Sequence, residues 1–526
     1  MRTNRGDIIA LLILFVFLAL FLRLKGEYLV TLCGLHLSVQ EWYSPLICMI
    51  ILLLPCLLLP RLVNYKRIFL LLSAAVIAQM TFFQSKEPTP NAAVYKPVQI
   101  TSRQCLSPEG CNLILISIDA MRPDHLAAYG YIRDTSPNID GLAASSLLFT
   151  SAYTNAPASS AAHATLFSSL MPTVHGVRDA LLRTLPQQAL TFAEILKSEG
   201  YATAAFSENW LFFRILKMDK GFDLLDETVT SLPDSIAKAK AWISGKKGKN
   251  FFLFLHTSQV APPHNPPPPY HKTFSPAYRG KLGYVISADT FRKINIGTLS
   301  VNALDVEHIR SLYDGEIKYT DYQIGQLNKF LRENDLMQNT VIVLLSAYGE
   351  ALGEHRVMGA ASLYEENIRV PLIILIPGIA PQIVPHRVSL TNVMPTVMAI
   401  LGINVPENIA GRSVVSQLRT GGKGEGYIYV EMEPDLRLLQ SAHKKCLVRG
   451  SFKFIRTTPK TKFDAFINTY QNVIYFTRER ELYNLKDDPE EKKNLIYGDI
   501  KIARLLEARL NRIALQQFKT RLARTP

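Results

Sequence analysis

The sequence predicts an α/β fold with a mostly parallel central sheet that is covered on both faces. Short apolar runs alternate with helical patterns along the middle of the 526-residue chain. Short, nearly continuous apolar strands separated by helices are typical of parallel sheets that are buried on both sides. The predicted strands are NLILISI from Asn112, ATAAFS from Ala202, FFLFLH from Phe251, VIVLLS from Val341 and PLIILI from Pro371.

The C-terminal part predicts a small appended sheet followed by a helix. From about Gly426 the apolar runs become shorter β-like pieces, namely YIYVEME, KCLVRG, FKFIRT and VIYFTR. Residues 499–526 then carry many basic residues, and their apolar residues recur at helical spacing. For this basic helix, packing on the domain and contact with anionic lipid headgroups both remain open.

The first 84 residues are expected to form a membrane region. About three transmembrane helices are predicted, at residues 8–24, 44–60 and 68–83, because each run approaches the roughly 20 apolar residues that cross a bilayer. A cleaved secretion signal is the alternative for the first run, although no small-residue cleavage site follows it. The basic residues before the first run and in the short turn between the second and third predict that these ends are cytoplasmic. We therefore expect a multi-pass protein of the cell membrane whose large C-terminal part is extracytoplasmic, in a periplasm or outside the cell.

Charge and cysteine content narrow the range of partners. The formal net charge is +14, but the basic residues are scattered and no base-stacking module is visible, so nucleic acid is not an expected partner. Membrane lipids are expected to contact the N-terminal helices, and an envelope protein or an anionic glycan is the further expected partner. For Cys105 and Cys111, a disulfide and two free thiols both remain open. The expected segments are the membrane region 1–84, a linker 85–111, an α/β domain 112–424, a C-terminal subdomain 425–498 and the basic helix 499–526.

Several stretches resemble bacterial sulfatases and occur in that family's order. The first runs from Ile116 to Val177 and begins ISIDAMRPDHLAAYGYIRDTSPNID. The others are LYDGEIKYTDYQIGQL from Leu312, GEALGEH from Gly349, SLYEENIRVPLIILIPG from Ser362 and ELYNLKDDPEEKKNL from Glu481. The resemblance implies a sulfatase/alkaline-phosphatase-like sandwich. It also implies a hydrolase that uses a divalent cation, such as calcium, beside a nucleophile at a helix N-terminus.

Most of the metal ligands that the resemblance implies are absent from this chain. Asp119 matches the family's first ligand, whereas Ala120 replaces a second Asp that often follows it. Ala347 and Tyr348 replace the later ligand pair. Because calcium takes about six to eight oxygen ligands, we expect no bound cation and a catalytically impaired or inactive sulfatase-like protein with a binding or scaffolding role. The alternative is an active hydrolase or transferase of sulfuric or phosphoric esters in envelope glycans or lipids, with Ser159 as the nucleophile.

The resemblance places Ser159 at the position of the family's nucleophile. The Pro and Arg of the family's C/S-x-P-x-R motif are missing after it. Ser159 and His163 are four residues apart at a predicted helix start, so a Ser–His dyad oriented by Asp119 is one interpretation. The other is that Ser159 or Ser160 caps the helix and that His163 fills the space of the missing Arg.

Other polar residues are expected to have structural roles. The helical pattern that contains Asp314, Glu316 and Asp321 predicts a solvated or capping face. In the loop after FFLFLH, where relatives commonly carry Asp-x-His-x-Pro, this chain begins with Gln259. His264, further along that loop, remains a candidate contact for a ligand.

Overall fold

The computed structural model describes ten ranges of the chain: 30–32, 35–37, 110–177, 183–246, 248–275, 277–360, 362–421, 426–433, 442–459 and 479–524. In the first compact unit, Met1–Ala93, the strand Val30–Leu32 pairs with Leu35–Leu37 as an antiparallel hairpin. The predicted transmembrane helices at 8–24, 44–60 and 68–83 lie outside the described residues. Among the helices that are described, none combines the length and the apolar character of a membrane span.

The second unit, Val94–Pro526, contains a nine-stranded central sheet within its described residues. The strands up to residue 389 are β1 (Asn112–Ile118), β2 (Leu147–Tyr153), β3 (Ala202–Ser207), β4 (Leu224–Asp226), β5 (Phe251–Thr257), β6 (Thr340–Leu345), β7 (Ala351–Leu352), β8 (Met358–Gly359), β9 (Arg369–Leu375), β10 (Gln382–Val384) and β11 (Val388–Ser389). The spatial order is β10-β2-β9-β6-β1-β5-β3-β4, with β11 also paired to β2, while β7 and β8 form a separate hairpin. β1 is parallel to β5 and β6, and β3 is parallel to β5 and β4.

Helices cover both faces of this sheet. They are α1 (Pro137–Ala143), α2 (Ser159–Ser168), α3 (Pro172–His175), α4 (Phe192–Ser198), α5 (Trp210–Ile215), α6 (Leu232–Ser244), α7 (Ala288–Asn295), α8 (Ala303–Glu333), α9 (Glu365–Ile368), α10 (Leu390–Leu401), α11 (Val415–Thr420) and α12 (Ile500–Arg524). Successive residues of a strand point to opposite faces. In β1, Leu113 and Leu115 accordingly pack into a core cluster with α2, α4 and α10, whereas Ile114 and Ile116 pack into a second cluster with α1, α6 and α8. The predicted α/β fold is thus confirmed, and burial on both faces explains why β1, β5 and β6 are nearly continuous apolar runs.

The sheet differs from the sequence prediction in the direction of one strand and in the number of strands. The strand predicted from Pro371 is β9, and it runs antiparallel to both of its neighbours, β2 and β6. An apolar run does not encode strand direction, because both faces of β9 are buried whichever way it runs. The strands β2, β4, β10 and β11 were not predicted. In β2, the run LLFTSAY mixes apolar and small polar residues.

The small C-terminal sheet is antiparallel, in the order β12 (Ile428–Met432), β13 (Ala442–Arg449), β14 (Phe452–Pro459) and β15 (Arg480–Asn484). The predicted piece VIYFTR lies outside the described residues, and the fourth described strand is β15 instead. The helix α12 packs on this sheet through Ala503, Leu506, Leu510 and Ile513, whereas Leu505 is exposed to solvent.

Cys111, which precedes β1, is disulfide-bonded, and Cys446 of β13 is a buried free thiol. Cys105, the predicted partner of Cys111, lies outside the described residues. The interpretation of Cys111 as a free thiol is therefore wrong, while its pairing with Cys105 remains a prediction.

A buried cation ties the small sheet to the central domain. The side chain of Lys453 in β14 is fully buried, and its Nζ lies 2.9 Å from Oε1 of Glu491 and 3.1 Å from Oε1 of Glu365 at the start of α9. The second carboxylate oxygen of Glu491 accepts the backbone N–H of Glu365 at 2.7 Å. Removing one partner of a buried ion pair leaves the other charge uncompensated. Lys453 therefore contributes to the contact between these two parts of the chain.

We predict that Lys453→Met destabilises the chain by about 3–5 kcal/mol, because the buried carboxylate of Glu491 and the partly exposed carboxylate of Glu365 lose their cation. The free energy of unfolding, measured with urea on the full chain in detergent, tests this. The control is Lys501→Met, which removes an exposed lysine of α12 and is expected to change the stability little. A loss from Lys453→Met no larger than that of the control would contradict the prediction.

Candidate functional site

Five polar side chains meet at the carboxyl edge of the central sheet. Asp119 directly follows β1, Ser207 ends β3, and His256 is the penultimate residue of β5. Ser159 and His163 lie in the first turn and a half of α2, which follows β2. Because parallel strands end at the same edge, residues that are far apart in sequence become neighbours there.

The carboxylate of Asp119 is paired with the imidazole of His256. Nε2 of His256 lies 3.3 Å from Oδ2 of Asp119, and both side chains are buried. Nδ1 of His256 lies 2.8 Å from Oγ of Ser207, which also accepts the backbone N–H of Asn209 at 3.0 Å. The hydroxyl hydrogen of Ser207 is then free to bond Nδ1, which leaves the ring hydrogen on Nε2. Nε2 lies at ion-pair distance from Asp119 but makes no hydrogen bond within the described residues. In the sequence, Ser207 and His256 lie at the ends of two predicted strands, and neither was assigned a role. Their position at a strand end is the one signal in the sequence that could have identified them.

Asp119 is held as a carboxylate despite its burial. Burial is the largest single influence and would raise its pKa, but His256, His163 and the hydroxyl of Ser159 together lower the pKa below its ordinary value. An isolated buried carboxylate would instead become neutral by taking up a proton. The imidazole of His256 therefore stabilises the charge that a bound cation would stabilise in a metal site.

His163 is a neutral, fully bonded imidazole. Its Nδ1 lies 2.8 Å from the carbonyl oxygen of Ser159, one helical turn earlier, and its Nε2 lies 2.9 Å from Oγ of Ser117 in β1. A carbonyl oxygen only accepts, so Nδ1 carries the hydrogen and Nε2 accepts from the serine. Burial, followed by the nearby His256, lowers the pKa of His163 to about 4.

This hydrogen-bond pattern argues against the Ser–His dyad. Oγ of Ser159 lies 3.2 Å from Nδ1 of His163, so the two side chains do meet as their spacing suggested. A general base, however, needs a free lone pair toward the hydroxyl that it activates, and Nδ1 uses its hydrogen on the carbonyl. The capping interpretation is also wrong, because the N-cap of α2 is Ala158 and no side chain caps the helix. Ser159 is half-buried, so it keeps contact with solvent.

The turn after Asp119 is fixed by a tyrosine of α8. Ala120 adopts a left-handed backbone conformation with φ 64° and is fully buried. Tyr313 donates its hydroxyl to the carbonyl oxygen of Ala120 at 2.7 Å and accepts the backbone N–H of Arg122 at 2.9 Å. A non-glycine residue in this conformation is strained by about 1–3 kcal/mol, and these two hydrogen bonds help to offset that strain. The turn therefore presents Asp119 in a fixed position.

The strand β6 lies next to β1 on the side opposite β5. The residues that directly follow β6 offer no carboxylate or imidazole as a metal ligand. Ala347 is buried within the apolar cluster of one face of the sheet, and Tyr348 is half-buried and packs against the same cluster. The hydroxyl of Ser346 donates to the carbonyl oxygen of Tyr348 at 2.6 Å, which closes the turn. Ala347 thus belongs to the core, and Tyr348 packs against it.

The donor atoms at this edge do not fit a calcium ion. Within the described parts of the chain, the side chains gathered there that could hold a metal are Asp119, His163 and His256, with ligand atoms within 4.8 Å of one another. One carboxylate and two imidazoles fall short of the six to eight oxygens that calcium takes. Zinc accepts such nitrogen donors, yet both nitrogens of His163 already have partners. We therefore derive no metal-dependent step for this site.

The loop after β5 is bound to α8 through a buried carboxylate. Oε2 of Glu316 accepts from the amide of Gln259 at 2.7 Å, and Oε1 accepts the backbone N–H of Asn265 at 2.6 Å. Burial raises the pKa of Glu316 to about 7, although both hydrogen bonds oppose this. The predicted solvated face is therefore wrong for Glu316 and for Asp314, both fully buried. The capping interpretation holds for Asp321, which accepts the backbone N–H of Ile139 in the first turn of α1 at 2.7 Å.

His264 belongs to the wall of the same region. Its Nε2 lies 3.3 Å from Oε2 of Glu350, and both side chains are buried. Its ring contacts Tyr313, the residue that fixes the turn after Asp119, edge to face at 5.7 Å between ring centroids. Burial raises the pKa of Glu350, opposed chiefly by His264. His264 thus forms an internal pair with Glu350.

Comparison with known proteins identifies the family. The model of the sulfatase family matches residues 111–403, more than half of the chain. The chain belongs to the sulfatase family. Mouse arylsulfatase K is 29% identical over 210 residues, which cover 40% of this chain and 36% of that protein. This sulfatase-family chain therefore spans about a third of the length of the arylsulfatase K relatives that it matches.

Other relatives match over most of the chain. The Delta 4,5-hexuronate-2-O-sulfatase of Bacteroides thetaiotaomicron is 22% identical over 453 residues, covering 78% of this chain and 89% of that protein. The solved structure of a 2-O GAG sulfatase superposes with a TM-score of 0.61 and 21% identity, covering 78% of this chain and 93% of that one. The phosphonate monoester hydrolase of Agrobacterium radiobacter gives a TM-score of 0.61 and 20% identity, covering 77% and 96% of the two chains. The sulfatase fold, including the small antiparallel C-terminal sheet, is therefore shared.

We predict a pH-dependent contribution of Glu316 to stability. Its pKa rises from 4.5 to about 7 on folding, so between these values the folded chain holds a proton that the unfolded chain has released. Stability then falls as pH rises through this window, by about 3 kcal/mol at most. Urea unfolding of the full chain in detergent at pH 5 and pH 8 should show a smaller pH difference for Glu316→Gln than for the wild type.

The control is Glu333→Gln, an exposed carboxylate at the end of the same helix, which should keep the wild-type pH difference. An unchanged pH difference in Glu316→Gln would contradict the prediction.

Proposed function

We propose that this sulfatase-family chain is catalytically impaired or inactive as an ester hydrolase and that its cleft serves as an extracytoplasmic binding site. The observation that carries the proposal is the pairing of Asp119 with His256, beside Ala347 and Tyr348 that offer no metal ligand. Without a cation, no Lewis acid polarises the ester and no metal activates the hydroxyl of Ser159. His163 does not replace that activation, since its Nδ1 is bonded to a carbonyl oxygen.

The ligand that we propose is an anionic glycan. The names of the relatives describe sulfatases that act on hexuronate 2-O-sulfate and on a GAG. The chain carries a formal net charge of +14, which favours an anionic partner over a cationic one. A domain of this fold without turnover would retain such a ligand instead of releasing a product.

We further propose that the chain is anchored in the cell membrane. The support is the set of three apolar runs within the first 84 residues and the basic residues that flank them. The disulfide of Cys111 favours an oxidising, extracytoplasmic location for the sulfatase-like part. Anchoring would keep a glycan-binding site close to the envelope.

We predict that the full chain, purified in detergent, hydrolyses neither aryl sulfates nor aryl phosphates above the buffer rate, with or without added calcium, and carries no stoichiometric divalent cation. Turnover assays and elemental analysis of the metal content measure both quantities.

The double variant Ala347→Asp with Tyr348→His introduces a carboxylate and an imidazole into the site and is expected to increase calcium affinity in calorimetric titration. One tightly bound calcium or zinc per wild-type chain would contradict the proposed loss of the metal site. Turnover that Ser159→Ala abolishes would show that the chain is an active enzyme.

We predict that immobilised sulfated glycosaminoglycan oligosaccharides bind the full chain more tightly than their desulfated forms do. Biolayer interferometry in detergent measures the two affinities. Ser159→Trp fills the half-buried start of α2 and should weaken binding, whereas Ser416→Trp, at an exposed position of α11, should not. If both variants bound the glycan as tightly as the wild type does, the glycan would bind outside the cleft, elsewhere on this basic chain.

A further inference from the structure

The final helix, α12, is strongly cationic. It carries one acidic residue, Glu507, and seven basic ones: Lys501, Arg504, Arg509, Arg512, Lys519, Arg521 and Arg524. Like charges at this density repel one another and attract an anionic surface. The charge of the helix therefore restricts the class of partner that it can bind.

The two halves of α12 have different environments. The last buried residue is Ile513, which packs on the small sheet with Ala503, Leu506 and Leu510. From residue 514 to residue 523, no side chain is buried among the described residues. The distal three turns therefore make little contact with the rest of the described domain.

An apolar stripe runs along these distal turns. Leu515, Phe518 and Leu522 are 54%, 51% and 58% exposed. Their spacing of three and four residues places them on one helical face. Arg512 and Lys519, both exposed, flank the stripe. An exposed apolar stripe bordered by cations is the pattern of helices that lie in the interfacial plane of a membrane.

We propose that the distal turns of α12, residues 512–524, bind an anionic lipid surface. Leu515, Phe518 and Leu522 enter the boundary between headgroups and acyl chains, while Arg512 and Lys519 contact lipid phosphates. Pairing of this stripe with the stripe of a second copy would bring two cationic helices side by side, so the charge favours lipid over self-association. This inference is independent of whether the cleft hydrolyses esters, since it rests on α12 alone.

Hydrogen–deuterium exchange of the full chain in lipid nanodiscs tests the proposal without any substitution. In nanodiscs that contain phosphatidylglycerol, the amides of residues 512–524 are expected to exchange more slowly than in pure phosphatidylcholine, and high salt should remove the difference. Equal exchange in the two lipids overturns the proposal. Protection that depends on protein concentration and not on lipid charge indicates self-association and also overturns it.

Two sets of variants separate the charge from the apolar contact. Arg512→Gln with Lys519→Gln should weaken the binding equilibrium by about 30-fold, since each cation near an anionic surface contributes about fivefold. Leu515→Glu with Phe518→Glu should abolish the lipid-dependent protection. The matched control, Ile132→Glu, changes a residue that is 95% exposed elsewhere in the domain and should leave the protection of α12 intact. Protection that persists in both double variants would overturn the proposal.

Discussion

A buried carboxylate must have a compensating partner, and the partner of Asp119 determines what this site can do. In the sulfatase pattern that the sequence resembles, the residue at this position helps to hold a divalent cation. Here the imidazole of His256 lies 3.3 Å away and, with burial opposing it, still keeps the pKa of Asp119 below its ordinary value. His256 is in turn oriented by Ser207, whereas Oδ1 of Asp119 is buried without a hydrogen-bond partner among the described residues. The imidazole of His256 therefore compensates the carboxylate on the side of Oδ2.

The sequence predicted the location of this site better than its internal contacts. Near-continuous apolar runs identified β1, β3, β5 and β6, and the family resemblance pointed to Asp119. Ser207 and His256 lie at the ends of two of these runs. The direction of β9 and the existence of β2 were not predictable in the same way. Strand direction depends on which neighbours an apolar run meets, and the pattern of one run contains no information about them.

Side-chain partners depend on contacts between segments that are distant in sequence. The remaining differences between the sequence predictions and the structure arise from such contacts. Glu316 occupies a helical pattern typical of a solvated face, yet it is buried because Gln259 and Asn265 from another loop reach its carboxylate. The dyad interpretation had the correct distance for Ser159 and His163. The position of one hydrogen, which follows from the carbonyl oxygen 2.8 Å from Nδ1, argues against the dyad. Spacing in sequence gives proximity, but not donor and acceptor roles.

The residues after β6 are consistent with a fold that is retained while its metal chemistry is lost. Ala347 is 1% exposed and lies within the apolar cluster that also contains Val343 and Leu345. An Asp at this position, without a cation, would be an unpaired buried charge near the carboxylate of Asp119, and burial of such a charge is costly. Ala347 and Tyr348 avoid the cost of burying an unpaired charge and add apolar packing. In a chain that binds no cation, these two replacements therefore stabilise the same sheet that an active enzyme would use to hold its metal.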